Sequence, residues 1–150
     1  MTQYKIIFTG PVGAGKTTAI HSISDVPPIK TDASASDMTK ARKSGTTVAM
    51  DYGIMNLEDG EKIHLYGTPG QERFDFMWDI LVNGGIGLVL LLDNTRADPF
   101  KDMRFFLDAF KKFISETNVA IGVTQMDISN KPTIADYHAQ LQVTDLRPPI

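Results

Sequence analysis

Gly10 and Gly15 stand five positions apart, and a lysine and a threonine follow at once: Gly10-Pro11-Val12-Gly13-Ala14-Gly15-Lys16-Thr17. These residue types at this spacing suit one chemistry. Glycines let successive backbone N–H groups curl around an anion, and a helix starting at the lysine adds the positive end of its dipole. The lysine reaches the terminal phosphates of a nucleoside triphosphate, and the threonine hydroxyl binds Mg²⁺. Gly13, Ala14, Gly15, Lys16, Thr17 and Thr18 are therefore candidate phosphate contacts, with Thr17 also a candidate metal ligand.

Such a loop works only between a strand and a helix, and the flanking residues supply both. Tyr4 to Thr9 (YKIIFT) is a short apolar run stopped by Gly10, and helix formers run from Lys16 to about Ile23. Ser24 to Thr47 is polar and lacks a sustained pattern, which predicts a long functional loop. Val48, Met50, Tyr52 and Ile54 then alternate with smaller or polar residues, as do Ile63 and Leu65 beyond the turn Glu58-Asp59-Gly60-Glu61. This is a hairpin signature. Gly67 to about Val82 reads as a turn that becomes helical and ends at Asn83-Gly84-Gly85. Ile86 to Asp93 (IGLVLLLD) predicts a buried central strand.

Asp98-Pro99 makes a helix start, and Phe100, Met103, Leu107, Phe110 and Ile114 predict one long helix to about Asn118. Val119 to Thr124 predicts another buried strand, Thr133 to Leu141 a short helix, and Gln142 to Thr144 a last short strand. The expected fold is a single three-layer α/β domain over residues 1–150. It has a mostly parallel six-stranded sheet, one strand antiparallel, and its ligand at the carboxyl ends of the strands. No closing helix is expected after the last strand, so apolar surface on one face is expected to need a partner, a second copy or further chain.

Composition narrows the function. Fifteen basic against 18 acidic residues give a net charge of −3, which offers no broad cationic surface for nucleic acid. The absence of cysteine excludes disulfides and thiolate metal sites and fits a cytoplasmic location. The longest apolar run, Ile86 to Leu92, is far below the 18 or so residues that span a bilayer. Thr2 and the lack of cysteine leave no myristoylation or prenylation signal, so direct membrane insertion is not expected.

A second string follows the hairpin: Gly67-Thr68-Pro69-Gly70-Gln71-Glu72-Arg73-Phe74. It resembles the switch II segment of Ras-like small GTPases, D-x-x-G-Q-E-R-F. The resemblance implies that the Gly70 amide contacts the γ-phosphate and that Gln71 orients the attacking water, with Lys16 and Thr47 completing the catalytic set. Thr47-Val48-Ala49-Met50-Asp51-Tyr52 resembles the end of switch I, which makes Thr47 the second Mg²⁺ ligand, with Thr46 its neighbouring alternative. Where the family carries N-K-x-D, this chain has Thr124-Gln125-Met126-Asp127, so Thr124, Gln125 and Asp127 are implied base contacts. The last guanine loop falls at Asp145-Leu146-Arg147, with Leu146 supplying a backbone N–H.

The resemblance covers nearly the whole chain and is nearest to a bacterial branch that includes gliding-motility GTPases. It implies GTP or GDP and Mg²⁺ as ligands, and a molecular switch that regulates a cellular process. A Roadblock-type regulator or other activating protein is implied as a partner, and a homodimer is a further option. Two residues depart from the family pattern. Gly67 replaces the aspartate that holds Mg²⁺ through water, and Val12 stands where most Ras proteins have glycine.

Asp93 has two readings, as a compensating carboxylate or as a cap on the turn that follows it. Val12 is expected to obstruct Gln71, so hydrolysis should be slow without a partner. Arg42 and Arg73 are each readable as an arginine finger in cis or as a solvated charge. Trp78 is readable as core or as an effector contact. His21, His64 and His138 share no metal-ligand spacing. The rival functions are a P-loop ATPase or nucleotide-binding scaffold without guanine selectivity and, third, a small-molecule kinase.

Overall fold

The structure is a computed structural model that describes residues 3–27, 29–34, 47–68, 78–142 and 144–150, without the side chains of 29–34 and 47–49. The strands are β1 (Gln3–Thr9), β2 (Ile29–Ser34), β3 (Thr47–Asn56), β4 (Lys62–Gly67), β5 (Gly87–Asp93) and β6 (Val119–Thr124). The helices are α1 (Lys16–Ile23), α2 (Trp78–Leu81), α3 (Pro99–Ala109), α4 (Lys111–Glu116) and α5 (Ile134–Leu141).

Among the described residues the strands form one six-stranded sheet in the order β2-β3-β4-β1-β5-β6. β1 pairs in parallel with β4 and β5, and β5 with β6. β3 runs antiparallel to both β2 and β4. Because side chains alternate across each strand, the sheet buries two separate cores. Ile7, Leu88, Leu90 and Leu92 pack with Met103, Phe106, Phe110 and Tyr137 from α3 to α5. Phe8, Leu65 and Leu91 pack with Ala14 and Ile20 of the phosphate loop and α1.

Three expectations are corrected. The sixth strand is β2, inside the stretch read as an unstructured loop; its residues (IKTDAS) carry no apolar alternation, and it takes its place as an edge strand by pairing with β3. Neither Gln142 nor Thr144 lies in a strand. Gln142 instead caps α5 and the Thr144 amide donates to Leu141 O at 2.9 Å. The exposed side of β6 is met by the chain end, where Ile121 N donates to Pro149 O at 2.9 Å.

The single long helix is in fact two. Phe110, at φ −104 and ψ 14, leaves helical geometry between α3 and α4 while Phe106, Phe110 and Phe113 all remain buried. Asp98 does cap α3, accepting from Lys101 N at 3.1 Å, with Pro99 at its first turn.

Residues 144–150 contain no helix. An apolar groove of about 550 Å³ lies beside them, lined by Ile6, Val89, Ile114, Val119, Leu146 and Pro149. No helix among the described residues is long and apolar enough to cross a membrane.

Candidate functional site

The phosphate loop leaves β1 at the carboxyl end of the sheet. Gly10 sits at φ 147, and a Cβ there would lie 2.1 Å from the carbonyl oxygen of Leu91 on the adjacent strand, so only glycine fits. Gly13 (φ 85) and Gly15 (φ 96) take left-handed conformations, and Ala14 N closes the turn onto Pro11 O at 3.1 Å. Gly15 is the N-cap of α1 and makes no side-chain cap bond, so the amides of the first turn are available to a phosphate. Thr18, exposed on that turn, lends its carbonyl to Ser22 Oγ at 2.7 Å.

Lys16 is buried and folds back over the loop, donating from Nζ to Gly10 O at 2.7 Å and Pro11 O at 2.9 Å. Burial pushes its ammonium down to about 8, and the Asp51 carboxylate pulls it partly back. A cation held in this way is ready to meet incoming phosphate oxygens.

Thr17 and Asp51 form the contact that linear reading missed. Thr17 Oγ1 donates to Asp51 Oδ2 at 2.5 Å. Asp51 is the register partner of Gly67 across β3 and β4. The hydroxyl has one proton and two lone pairs, so donating the proton to Asp51 leaves oxygen lone pairs for a hard cation. Thr17 and Asp51 thus fit Mg²⁺ by donor type.

Two further segments converge on the same end of the sheet. Thr68, directly after β4, is fixed to β1: its amide donates to Phe8 O at 2.9 Å and its Oγ1 to the buried Thr9 Oγ1 at 2.8 Å. Thr124 Oγ1 bonds to Ala14 O (2.9 Å) and Leu92 O (3.2 Å), joining β6 to the phosphate loop and to β5. Gln125 occupies φ 65, uncommon for its type, and its carbonyl accepts from Ile128 N and Ser129 N, closing the turn that carries Asp127.

A buried brace holds this loop from below. Asn94 Nδ2 donates to Ser129 O at 2.7 Å and Pro132 O at 3.0 Å, while its Oδ1 accepts from Tyr137 Oη at 2.6 Å. Neither Asn94 nor Tyr137 was singled out by motif. An asparagine just beyond an apolar strand and a tyrosine on the apolar face of α5 were the available signals.

Asp93 Oδ1 accepts from Thr95 N and Oγ1, which is the turn-capping reading. Val12 is 57% exposed and lines a cleft of about 160 Å³ with Pro11, Arg96 and Phe105. Arg96 is held in that cleft by Asp102 at 2.6 Å. Trp78 is buried against Phe110 and Phe106, as core.

Leu146 is placed elsewhere, which corrects the expectation of a base contact. It lines the apolar groove beside Gly87 and Val119, the first residues of β5 and β6, at the end of the sheet opposite the phosphate loop. Its amide donates to Thr144 Oγ1 at 3.2 Å. The chain after α5 comes first to this end of the sheet at Leu146 and only then runs beside β6, where Pro149 O accepts from Ile121 N. Thr47 opens β3 opposite Ser34. Arg42, Thr46, Gly70, Gln71 and Arg73 lie outside the described residues.

A strand, a glycine loop and a helix, with a buried lysine turned onto the loop, define a P-loop nucleotide-binding protein. Residues 27–147 match the family model described as conserved hypothetical ATP binding protein, and the chain belongs to that family.

Among curated proteins it is 32% identical to an uncharacterized protein of Methanocaldococcus jannaschii, over 67% of this chain and 57% of that one. It is 29% identical to Ras-related protein Rab-10 of Caenorhabditis elegans over 89% of this chain, and 30% identical to Rab-12 of Homo sapiens over 76%. The chain spans 59% of that Rab-10 and 43% of that Rab-12. The fold matches the G domain of the T. maritima FeoB iron transporter, with a TM-score of 0.64 at 18% identity, covering 93% of this chain and 83% of that one. The architecture is therefore that of P-loop GTPase domains.

Proposed function

We propose that this protein is a GTP-binding molecular switch that hydrolyses GTP slowly. The observation that carries the reading is the convergence of the phosphate loop, Thr68 and the Thr124–Asp127 turn on one end of the sheet, locked by the Thr124 hydroxyl on Ala14 O. A base-contacting loop fastened directly to the phosphate loop is what a nucleotide lying across both requires.

In this reading the amides of Gly13, Gly15, Thr17 and Thr18 cradle the phosphates, Ala14 holds the loop's turn, and Lys16 neutralises the terminal phosphates. Asp127 accepts from the guanine N1 and N2 groups, with Thr124 and Gln125 shaping its turn. Mg²⁺, held by Thr17 and Thr47, supplies neutralisation of charge on the phosphate oxygens. Gly70 contacts the γ-phosphate and Gln71 orients water, as the resemblance of residues 67–74 to switch II implies. Val12, exposed beside the loop, crowds that water, so an activating partner completes the reaction; a Roadblock-type regulator is the first partner to test. The bacterial gliding-motility branch and a cytoplasmic location belong to the same proposal.

The second reading is an ATP-binding protein, favoured by the description of the family it belongs to and by the replacement of the usual Asn-Lys pair with Thr124-Gln125. Competition decides between them. GTP and GDP should displace a fluorescent guanine nucleotide at far lower concentration than ATP, and Asp127→Asn should abolish that preference. Equal competition by ATP, with Asp127→Asn indifferent, overturns the guanine reading.

A further inference from the structure

We propose that Asp51 carries the Mg²⁺-supporting carboxylate of this site, supplied from β3 in place of a residue at the end of β4. The inference deepens the nucleotide reading above and rests on it.

β4 ends at Gly67 without a carboxylate, and the directly facing residue on β3 is Asp51. Residues paired in an antiparallel ladder project to the same face with their Cβ atoms close together. A Cβ built on Gly67 would lie 3.2 Å from Asp51 Cβ and 3.5 Å from Asp51 Oδ2. The Asp51 side chain thus fills the space that a side chain at 67 would enter. It uses that space to accept the proton of Thr17 Oγ1, the hydroxyl that the phosphate-loop pattern assigns to Mg²⁺.

This bond does two things. It turns the hydroxyl proton away and presents an oxygen lone pair to the cation, and it makes that oxygen a stronger donor, as hydrogen-bonded carboxylates do behind metal ligands. The other carboxylate oxygen is of the type that accepts from metal-bound water, and Mg²⁺ typically keeps several waters alongside phosphate oxygens and one or two carboxylates. Gly67 leaves room for the arrangement, since a Cβ there would be tight against Asp51 Cβ at 3.2 Å and the end of Ile20 at 3.1 Å.

The test uses the full chain loaded with GDP, with Mn²⁺ as an EPR-visible probe and release of a fluorescent GDP analogue in Mg²⁺ or EDTA as a second readout. Wild type should bind Mn²⁺ in the GDP complex and release GDP faster in EDTA. Asp51→Asn should weaken Mn²⁺ on the order of 10- to 100-fold and flatten the EDTA response. The exchange Asp51→Gly with Gly67→Asp should recover most of the Mn²⁺ affinity, because the Cβ that faces position 67 is removed and the carboxylate returns to the same place from the other strand.

Wild-type Mn²⁺ affinity in Asp51→Asn overturns the proposal. Wild type that holds GDP indifferently to metal overturns it too, while leaving nucleotide binding in place. A chain that binds no nucleotide overturns both.

Discussion

The Thr124 hydroxyl donates to the carbonyl oxygen of Ala14 at 2.9 Å, joining two loops 110 residues apart into one unit. The same hydroxyl reaches Leu92 O, so the end of β6 is fixed to the strand beside it as well as to the phosphate loop.

Thr124→Val keeps the shape of the side chain and removes the donor. The Ala14 carbonyl then loses its donor in a half-buried setting, at about 1–2 kcal/mol of stability. Urea denaturation should show a lower midpoint with an unchanged slope. Nucleotide affinity should fall as well, because the loop positions are no longer coupled.

Lys16 gives the ligand-free protein a distinctive alkaline profile. Its ammonium titrates at about 8 in the fold against 10.5 as the ordinary value. Between those pH values the unfolded chain binds more protons than the folded one, so stability rises with pH through that window. Bound phosphates favour the charged lysine and reverse the effect. Calorimetry at pH 8.5 in buffers of different ionisation enthalpy should show proton uptake on nucleotide binding, and Lys16→Met should show none.

Tyr137→Phe should destabilise by about 1–3 kcal/mol, because it leaves the buried Asn94 Oδ1 without its donor. Burial, with Asp102 and Asp93 adding to it, pushes the Tyr137 phenol up to about 12 from an ordinary 10.0. Over that interval the folded chain keeps a proton that the unfolded chain has lost, so stability falls as pH rises from 10 to 12. Chemical denaturation across that range should show the loss in wild type and its absence in the variant.

Val12→Gly should accelerate GTP hydrolysis by opening the cleft beside the phosphate loop. Single-turnover phosphate release measures it. The wild-type rate is expected at or below the intrinsic Ras scale of ~10⁻⁴ s⁻¹.

The phosphate loop was legible in the sequence because its chemistry depends on contiguous residues: Gly10 to Thr17 carry strand end, turn and helix start together. The buried strands β1, β5 and β6 were equally plain, being short apolar runs between turn signals. β2 was not, since an edge strand with no apolar alternation owes its place to pairing with β3. Leu146 was misplaced for a related reason. Its expected position came from alignment with the family's last guanine loop, whereas the turn that Thr144 closes onto Leu141 O brings Leu146 to the other end of the sheet. Asp51 was hidden because its partner Gly67 lies 16 positions away, and only the ladder register brings the two together.

Trp78 was read partly as a surface contact, yet it is buried with its ring 5.2 Å from that of Phe110 and 5.5 Å from that of Phe106. It is the only tryptophan in the chain and the first described residue after the 69–77 segment. The protein therefore carries its own optical label. Its emission reports on that aromatic stack, so if the proposed switch holds, exchange of one nucleotide for another is expected to be timeable by fluorescence in the unmodified molecule.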